Sequence, residues 1–311
     1  APRANWEPLI RFNVCLLELM SNVAFEYVDS AATSGAKTVV GARLVHISRT
    51  QDPGAAGTGT YASQSIVELI RPDSSTGMDV YHRQLKWLFH WAKQREDRAS
   101  EILTQLVPQT PFWSAVANLQ PTRNKFTHEL IELTLAFASM GAMRFKHAFN
   151  MPRPVAFTAK IQPMVPTPEH SALPSGHATE ACAVAHLLTR LIGGANGTAV
   201  GAQLKALAAR IAINRTVAGV HYPMDSTAGR ILGATLGEYL ASICSKAPAS
   251  TSSSAPPQSL PWHDRKFELA DPDGDFQPQT ALVDGSPHTP GSSKPVLNWL
   301  WDQARLEWSG P

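Results

Sequence analysis

The feature that most constrains this chain is a set of cationic and histidine residues in three short blocks that lie far apart in the sequence. The members of the blocks are Lys146 and Arg153-Pro154, then Pro174-Ser175-Gly176-His177, then Arg215, His221 and Asp225. Six residues separate the lysine from the arginine of the first block, and nineteen separate the first block from the second. A fold that uses all three blocks must bring distant segments together at one place.

The residue types in these blocks suit a tetrahedral oxyanion such as phosphate or vanadate. Arg153 and Arg215 offer planar forks that match two anion oxygens at once. Lys146 adds a point charge, and charge-assisted hydrogen bonds are about twice as strong as neutral ones. Ser175 offers a hydroxyl group, and Gly176 offers an N–H with no side chain to keep an anion away.

The two histidines are candidates for roles that the groups binding the anion cannot perform, namely bonding to the central atom and carrying a proton. Residues 178–183 are good helix formers, so the serine and glycine before them should lie at a helix N-terminus, where anions are favoured. His221 is a candidate ligand or nucleophile, and Asp225 can accept a hydrogen bond from its other ring nitrogen. His177 is then the candidate proton carrier.

The three blocks resemble the signature shared by vanadium-dependent haloperoxidases, bacterial class A acid phosphatases and type-2 phosphatidic acid phosphatases, over residues 140–245. This resemblance implies that His221 bonds the central atom, which is vanadium in a peroxidase and phosphorus in a phosphatase. It also implies that His177 acts as acid or base at the opposite apex and that Asp225 orients His221. The residues implied to hold the equatorial oxygens are Lys146, Arg153, Ser175, Gly176 and Arg215.

Three positions bear on the choice within this superfamily. At the position of His170, bromide-oxidising members resemble this sequence in having a histidine. Chloride-oxidising members tend to have phenylalanine there, and class A phosphatases usually have neither. The alternative is that His170 is a loop histidine at a proline-rich turn. Asn214 replaces the usual serine before the second arginine, a change not expected to touch the anion. Met143 stands where the eukaryotic haloperoxidases often have tryptophan, which leaves the halide preference open.

The resemblance favours a vanadate-dependent haloperoxidase that uses hydrogen peroxide to oxidise bromide or iodide. The hypohalous acid formed would halogenate a small organic acceptor, with Lys146, His177 and His170 as further catalytic residues. The alternative is a soluble acid phosphatase that acts through a phosphohistidine at the same site, so that phosphate replaces vanadate. A protein that only binds an oxyanion is disfavoured, because paired apical histidines are superfluous for binding.

Composition narrows the partners and the compartment. The 27 basic and 25 acidic residues leave a net charge of +2, which indicates neither a nucleic-acid nor a membrane-surface partner. No uncharged apolar run reaches 18 residues, and the best candidate, residues 226–245, contains two charges; this predicts a soluble protein. Export after removal of a leader and assembly into a homo-oligomer both remain open. The scattered Cys15, Cys182 and Cys244 predict buried thiols rather than disulfides.

Apolar periodicity predicts an all-α helical bundle with the site at one end. The resemblance implies that this bundle is of the vanadium haloperoxidase and acid phosphatase type. Residues 35–62 read as a long loop in which 38–45 is the only modest strand signal. Gly229, Gly233 and Gly237, spaced by four, predict close packing against a neighbouring helix. The predicted helices span residues 8–28, 78–107, 126–149, 178–192, 199–218, 225–245 and 296–308.

The same features divide the chain into three parts. Residues 1–245 are the predicted helical catalytic domain, and residues 246–295 are a Pro/Ser/Gly-rich linker and extended tail. Residues 296–311 contain an amphipathic helix expected to dock on the bundle or on a partner subunit. The acidic run 271–275 hints at a calcium loop, but its glycine is misplaced and Leu282 stands where glutamate is needed, so calcium is not expected.

Overall fold

The fold is known from a computed structural model that describes residues 3–31, 38–50, 60–72, 77–107, 109–245, 260–278, 280–288 and 294–309. The α-helices of this part are α1 (Pro8–Met20), α2 (Gly77–Trp91), α3 (Arg95–Thr104), α4 (Thr110–Ala117), α5 (Lys125–Phe149), α6 (Gly176–Ile192), α7 (Gly194–Val217), α8 (Pro223–Cys244) and α9 (Pro295–Leu306). The strands are β1 (Val23–Ala31), β2 (Thr38–Thr50), β3 (Thr60–Ile70), β4 (Trp262–His263), β5 (Arg265–Phe267) and β6 (Pro287–His288).

The prediction of an all-α bundle is wrong, because the helices are joined by two sheets. One sheet has four strands in the order β1-β2-β3-β5, and the other pairs β4 with β6. β2 runs antiparallel to both β1 and β3, whereas β5 is parallel to β3. The architecture is therefore mixed, with a helical core and a sheet that packs beside it.

The missed strands have a physical explanation. The predicted helix over 8–28 ends at Met20, because residues 23–28 are mostly β-branched or aromatic and prefer a strand that can pair. Residues 38–50 lie in the segment predicted as a loop, where only the signal over 38–45 marked a strand, and residues 60–70 lie mostly beyond that segment. A shift in register at Leu44 and Val45 interrupts the alternation of side chains. Pairing with a distant strand, which local composition does not encode, decides the conformation of both segments.

The predicted helix over 78–107 is also interrupted. A 3-10 turn at Ala92–Gln94 separates α2 from α3. The turn brings Arg95 into position to donate to the carbonyl oxygens of Val217 and Ile161, each at 2.9 Å. These bonds fix the start of α3 against the end of α7. The end of α3 is thereby placed beside the third motif block.

The predicted close packing of the glycine-spaced helix is confirmed. A Cβ atom built at Gly233 would lie 2.2 Å from the carbonyl oxygen of Thr179, and one at Gly237 would lie 2.4 Å from that of Ala183. At the start of the same face, a Cβ atom at Gly229 would lie 2.6 Å from the carbonyl oxygen of Ser175. Since these contacts advance by four residues on both helices, α6 and α8 run parallel and their N-termini lie at the same end.

The C-terminal helix α9 packs on the helical core. Its residues Leu297, Leu300 and Trp301 are buried. Glu18 of α1 accepts hydrogen bonds from the N–H groups of Val296 and Leu297 and so caps the start of α9. The chain between α8 and β4 includes the first part of the predicted linker and tail over 246–295, and residues 246–259 lie outside the described residues.

One further property of the helices concerns membranes. Within the described ranges, no helix combines the length and the apolar character that crossing a membrane requires.

The contact between α6 and α8 predicts that Gly233→Ala destabilises the protein by about 1–3 kcal/mol, because the new methyl group meets backbone that cannot move aside. Gly141→Ala is the matched control. The nearest atom to its new methyl group is the end of the flexible Leu236 side chain at 3.0 Å, so its effect should stay below about 1 kcal/mol. Urea unfolding measures both variants, and equal midpoints for the two would contradict the proposed contact.

Candidate active site

The three motif blocks meet at one end of helices α5 to α8. Lys146 lies in the last turn of α5, and Arg153 follows in the turn after that helix. α6 begins at Gly176 with Ser175 as its N-cap residue. Arg215 lies in the last turn of α7, and the connection from there to α8 carries the histidine of the third block. The helix ends and the short connections next to them therefore supply the side chains of the site.

Hydrogen bonds join the blocks directly. Arg153 Nη1 donates to the carbonyl oxygen of Val220 at 2.8 Å and lies 3.0 Å from His221 Nε2, which links the first block to the third. The N–H of Ser175 donates to the carbonyl oxygen of Asp225 at 2.9 Å, which links the second block to the third. The arrangement is thus fixed by the backbone as well as by side chains.

Lys146 is a buried cation beside the segment that precedes the second block. Its Nζ donates to the carbonyl oxygens of Ser171 at 2.7 Å and Ala172 at 3.2 Å, and the residue is only 2% exposed. Burial, followed by the charge of Arg153, lowers the pKa of Lys146 to about 7. A nearby anion would favour the charged form of this lysine.

The hydrogen-bond partners of His221 determine its tautomer. An arginine can only donate, so the Nε2 atom that faces Arg153 must carry the lone pair. The proton of the ring is then on Nδ1, which lies 3.0 Å from Asp225 Oδ2. Burial, then Arg153, Lys146 and the other cations, lower the pKa of His221 well below its usual value. His221 is therefore a neutral imidazole whose Nε2 lone pair faces Arg153 inside a cationic site.

Asp225 lies in the first turn of α8 and accepts the hydrogen bond from Nδ1 of His221, the ring nitrogen that does not face Arg153. Its Oδ2 also accepts from the N–H of Tyr222 at 2.9 Å, so the carboxylate is fixed by the backbone. The residue is fully buried, and burial raises its pKa to about 6. The position of Asp225 makes it an orienting group for His221 rather than a group that faces the anion.

His177 lies on the first turn of α6, and its tautomer can be determined in the same way. Its Nε2 lies 3.0 Å from the carbonyl oxygen of Gln105, which can only accept, so Nε2 carries a proton. Burial, followed by Arg215, lowers the pKa of His177 to about 4. Nδ1 is therefore the nitrogen that can take up and release a proton.

Gln105, at the end of α3, is a site residue that the sequence analysis missed. Its Oε1 accepts from Arg215 Nη2 at 3.2 Å and from Asn214 Nδ2 at 3.0 Å, while its Nε2 donates to Glu101 Oε1 at 3.0 Å. Its backbone carbonyl positions His177, as described above. One fully buried residue thus contacts both Arg215 and His177.

The departure from the family pattern at Asn214 is connected to this network. Asn214 Nδ2 also donates to Glu101 Oε1 at 2.8 Å, and its Oδ1 accepts from Arg98 Nη1 at 3.1 Å. Asn214 therefore ties α7 to α3 without facing the anion. The asparagine was the only sequence signal that could have pointed to α3, since no motif surrounds Gln105.

His170 lies at the exposed edge of the site and touches the first arginine. Its Nδ1 is 3.1 Å from Arg153 Nη2 and must accept, because the arginine donates. Arg153 Nε also donates to the His170 carbonyl oxygen at 3.0 Å. Burial, then Lys146, lower the pKa of His170. The residue is thus in contact with the cationic site, and its effect on halide chemistry stays a prediction.

The donor set fits an oxyanion. Arg215 is 1% exposed, and its Nε–H has no hydrogen-bond partner in the described part of the chain. A buried N–H without a partner is unfavourable, so an anion that accepts from it would stabilise the site. Three cations converge here with the N-terminus of α6, and phosphate and vanadate share the tetrahedral shape that such donors match.

The described residues around this site do not include a cluster of side chains that could coordinate a metal ion. Among the described residues, no group of three or more His, Cys, Asp or Glu side chains could hold a metal ion. The carboxylates of the acidic run are used within the protein: Asp273 pairs with Arg83 and with Lys86, and Asp275 accepts from Trp91 Nε1 at 2.8 Å. They fasten the C-terminal segment to α2.

Comparison with known proteins agrees with this geometry. The model of the PAP2 superfamily matches residues 130–247, the stretch from α5 to just beyond α8. The chain contains a PAP2-superfamily domain. It is also similar to the decaprenylphosphoryl-5-phosphoribose phosphatases of Mycobacterium tuberculosis strains CDC 1551 / Oshkosh and ATCC 25618 / H37Rv, with 39% identity over 80 residues in each case.

The similarity to these relatives is confined to a part of each protein. The matched segment is 25% of this chain and 41% of each relative. Every motif block lies inside the PAP2 domain, so the superfamily part of the predicted resemblance is confirmed. The relatives are named as phosphatases, and nothing in these matches supports the haloperoxidase branch.

The role of Gln105 predicts that Gln105→Leu weakens the binding of inorganic phosphate by about 10- to 100-fold, because Arg215 loses an acceptor that orients it. Asn298→Leu is the control, since that buried amide bonds the carbonyl of Cys244 at the far end of α8. Calorimetric titration at matched folded fractions measures the affinity. The account would be contradicted if the two variants bound phosphate equally well.

The lowered pKa of Lys146 predicts how anion affinity depends on pH. Lys146 is charged below pH 7 and loses its proton above it in the free protein, so anion binding should weaken by up to about tenfold per pH unit above 7. Sulfate is the suitable probe, because it remains a dianion throughout this range. In Lys146→Met the affinity should be weak and independent of pH between 6 and 8.5. A wild-type affinity that does not change over this range would contradict the assignment.

Proposed function

We propose that this protein is a phosphatase that hydrolyses phosphate monoesters through a phosphohistidine at His221. The observation that carries the proposal is the fixed tautomer of His221, whose Nε2 lone pair faces the cations while Nδ1–H is held by the buried Asp225. A neutral imidazole in this orientation is a nucleophile at neutral pH. The PAP2 domain and the phosphatases similar to it support the same reaction class.

The phosphate group of the substrate would be held by donors from each block. Arg215 offers its Nε–H, which has no partner in the described part of the chain, and Arg153 and Lys146 add two further positive charges. The N–H of Gly176 at the start of α6 and the hydroxyl of Ser175 complete the set. These groups stabilise the charge of a five-coordinate phosphorus more than that of the bound ester, and this difference accelerates the reaction.

The first step transfers the phosphoryl group to the protein. The lone pair of His221 Nε2 forms a bond to phosphorus as the bond from phosphorus to the ester oxygen breaks. His177 gives its Nδ1 proton to the departing oxygen, so the product leaves as a neutral alcohol. Asp225 stabilises the positive charge that develops on His221, because it already accepts from Nδ1–H.

The protonation of His177 follows from the bound anion. In the ligand-free site Arg215, Lys146 and Arg153 help to keep the pKa of His177 at about 4. A phosphate ester offsets those charges and raises the pKa, so substrate binding and protonation favour each other. The activity should accordingly be higher on the acidic side of neutrality.

The second step removes the phosphoryl group from His221 and regenerates the free protein. Water attacks phosphorus on the side that the alcohol has left, and His177 Nδ1, now unprotonated, takes a proton from it. The bond between phosphorus and His221 Nε2 breaks, and inorganic phosphate departs. The exposed edge at His170 provides the route for substrate and product, since the three cations are buried.

A second candidate is a vanadate-dependent haloperoxidase that oxidises bromide or iodide with hydrogen peroxide. The contact of His170 with Arg153 favours it, because it places an additional imidazole at the edge of the site. Vanadate would be held by Lys146, Arg153, Arg215 and His221, and when bound it would supply a Lewis-acidic centre that activates hydrogen peroxide. His177 and His170 would then move protons at the edge of that site.

Paired assays on the purified protein test the proposal. We expect hydrolysis of p-nitrophenyl phosphate that orthovanadate inhibits, and no bromination of phenol red with vanadate, bromide and peroxide. His221→Ala should lower turnover at least about 10³-fold. Arg215→Lys should lower kcat by about 10²-fold, since lysine does not reproduce the planar fork.

The opposite pattern of activities selects the second candidate. Vanadate-dependent bromination without ester hydrolysis would overturn the phosphatase proposal. In that event His170→Phe should change the halide preference. In a phosphatase the same substitution should leave kcat within about threefold, because His170 Nδ1 only accepts from Arg153 at the rim.

A further inference from the structure

A cavity of about 400 Å³ lies between α6, α7, α8 and residues 278, 280–282 and 284 of the C-terminal part of the chain. Cys182 of α6 lines it and follows His177 by five residues. Five residues correspond to a rotation of about 140° around an α-helix, so the two side chains point to different faces of α6. The cavity is therefore separate from the candidate active site.

The carboxylates in the wall of this cavity are already neutralised. Glu238 accepts from Arg265 at 2.9 Å and pairs with Arg190 at 3.2 Å, and it also contacts His186 at 3.1 Å. Arg265 is bound in addition to Asp284 at 2.7 Å. These groups form a closed network, and the two carboxylates are not available to balance further cations.

Two other cations line the cavity without a carboxylate partner. Among the described residues, Arg230 of α8 donates only to backbone, to the carbonyl oxygens of Gln277 at 3.4 Å and of Thr280. Lys205 of α7 forms no ion pair or side-chain hydrogen bond within the described part of the chain, and it stands exposed at the cavity's rim. The cavity thus carries two positive charges that the protein itself does not balance.

The remaining walls are apolar and made of small side chains. Ala185, Ala208 and Leu282 face the space behind the two cations. A volume of this size is in the range of sites for small ligands, which combine apolar walls with a few convergent polar groups. The chemistry of the walls matches a compact molecule with an anionic group at one end and an apolar body at the other.

We propose that this cavity binds a small organic anion, whose carboxylate or phosphonate-type group pairs with Lys205 and Arg230 and whose apolar body lies against Ala185, Ala208 and Leu282. The charge-assisted hydrogen bonds would come from Lys205 and from the N–H groups of Arg230. Arg230 also donates to the carbonyl oxygens of Gln277 and Thr280, so the ligand would connect α7 and α8 to the C-terminal part of the chain. This site is independent of the proposed phosphatase activity.

Thermal unfolding with two probes, benzoate and phenylphosphonate, tests this proposal. The wild-type Tm should rise by about 2–4 °C when a matching probe exceeds its Kd severalfold. The rise should be smaller in Lys205→Gln and absent for benzoate in the double variant with Arg230→Gln. A benzoate response that Lys205→Gln reduces supports the site. A phenylphosphonate response supports it only to the extent that Lys205→Gln reduces the response, because that probe also fits the candidate active site.

Lys160→Gln is the matched control, because Lys160 is also an exposed lysine whose side chain makes no hydrogen bond or ion pair within the described part of the chain, and it does not line the cavity. It removes the same charge and should keep the full Tm rise. Lys205→Gln breaks no contact within the described protein, so it should fold even if the double variant does not. The proposal is overturned if neither probe raises the wild-type Tm, or if Lys205→Gln and Lys160→Gln respond equally.

Discussion

The backbone of α6 lies directly against the glycine face of α8, and the geometry of the site follows from this contact. Gly229, Gly233 and Gly237 allow an approach that any larger residue would prevent. Because the helices run parallel, both N-termini come to one end, where Ser175 N–H bonds the Asp225 carbonyl. The first block then joins through Arg153 and the carbonyl of Val220. Close helix packing and anion binding are thus parts of one arrangement.

The positive charge of the site determines which ligands it attracts and keeps its histidines neutral. Buried cations without enough carboxylates to balance them destabilise a protein unless an anion can enter, and they keep the histidines neutral when none is bound. Neutral His221, held by Asp225, presents its lone pair to whatever the cations attract. The same donors suit phosphate and vanadate, so the cationic groups alone do not select between hydrolysis and halide oxidation. The phosphatases similar to the PAP2 domain favour hydrolysis.

The sequence predicted the site region better than the fold. The three blocks, the helix that starts at Gly176 and the tight face of α8 follow from local spacing and from the absence of side chains on glycine. β1 and β3 were missed, and only residues 38–45 of β2 carried a strand signal, because the conformation of these strands depends on pairing with distant residues. Gln105 was missed for a related reason, since only the turn between α2 and α3 brings it to Arg215. The local sequence pattern could not predict contacts between residues that lie far apart in the sequence.

The most direct test of the central claim is to trap the protein during turnover of a phosphate monoester and to locate the phosphoryl group by mass spectrometry under alkaline conditions, where phosphohistidine survives. The account predicts one phosphate per chain, attached to His221 and lost on acidification. Asp225→Asn should reduce its formation, because the imidazole is then held in the wrong tautomer. Turnover without any phosphorylated histidine, or a phosphate on another residue, would contradict the account.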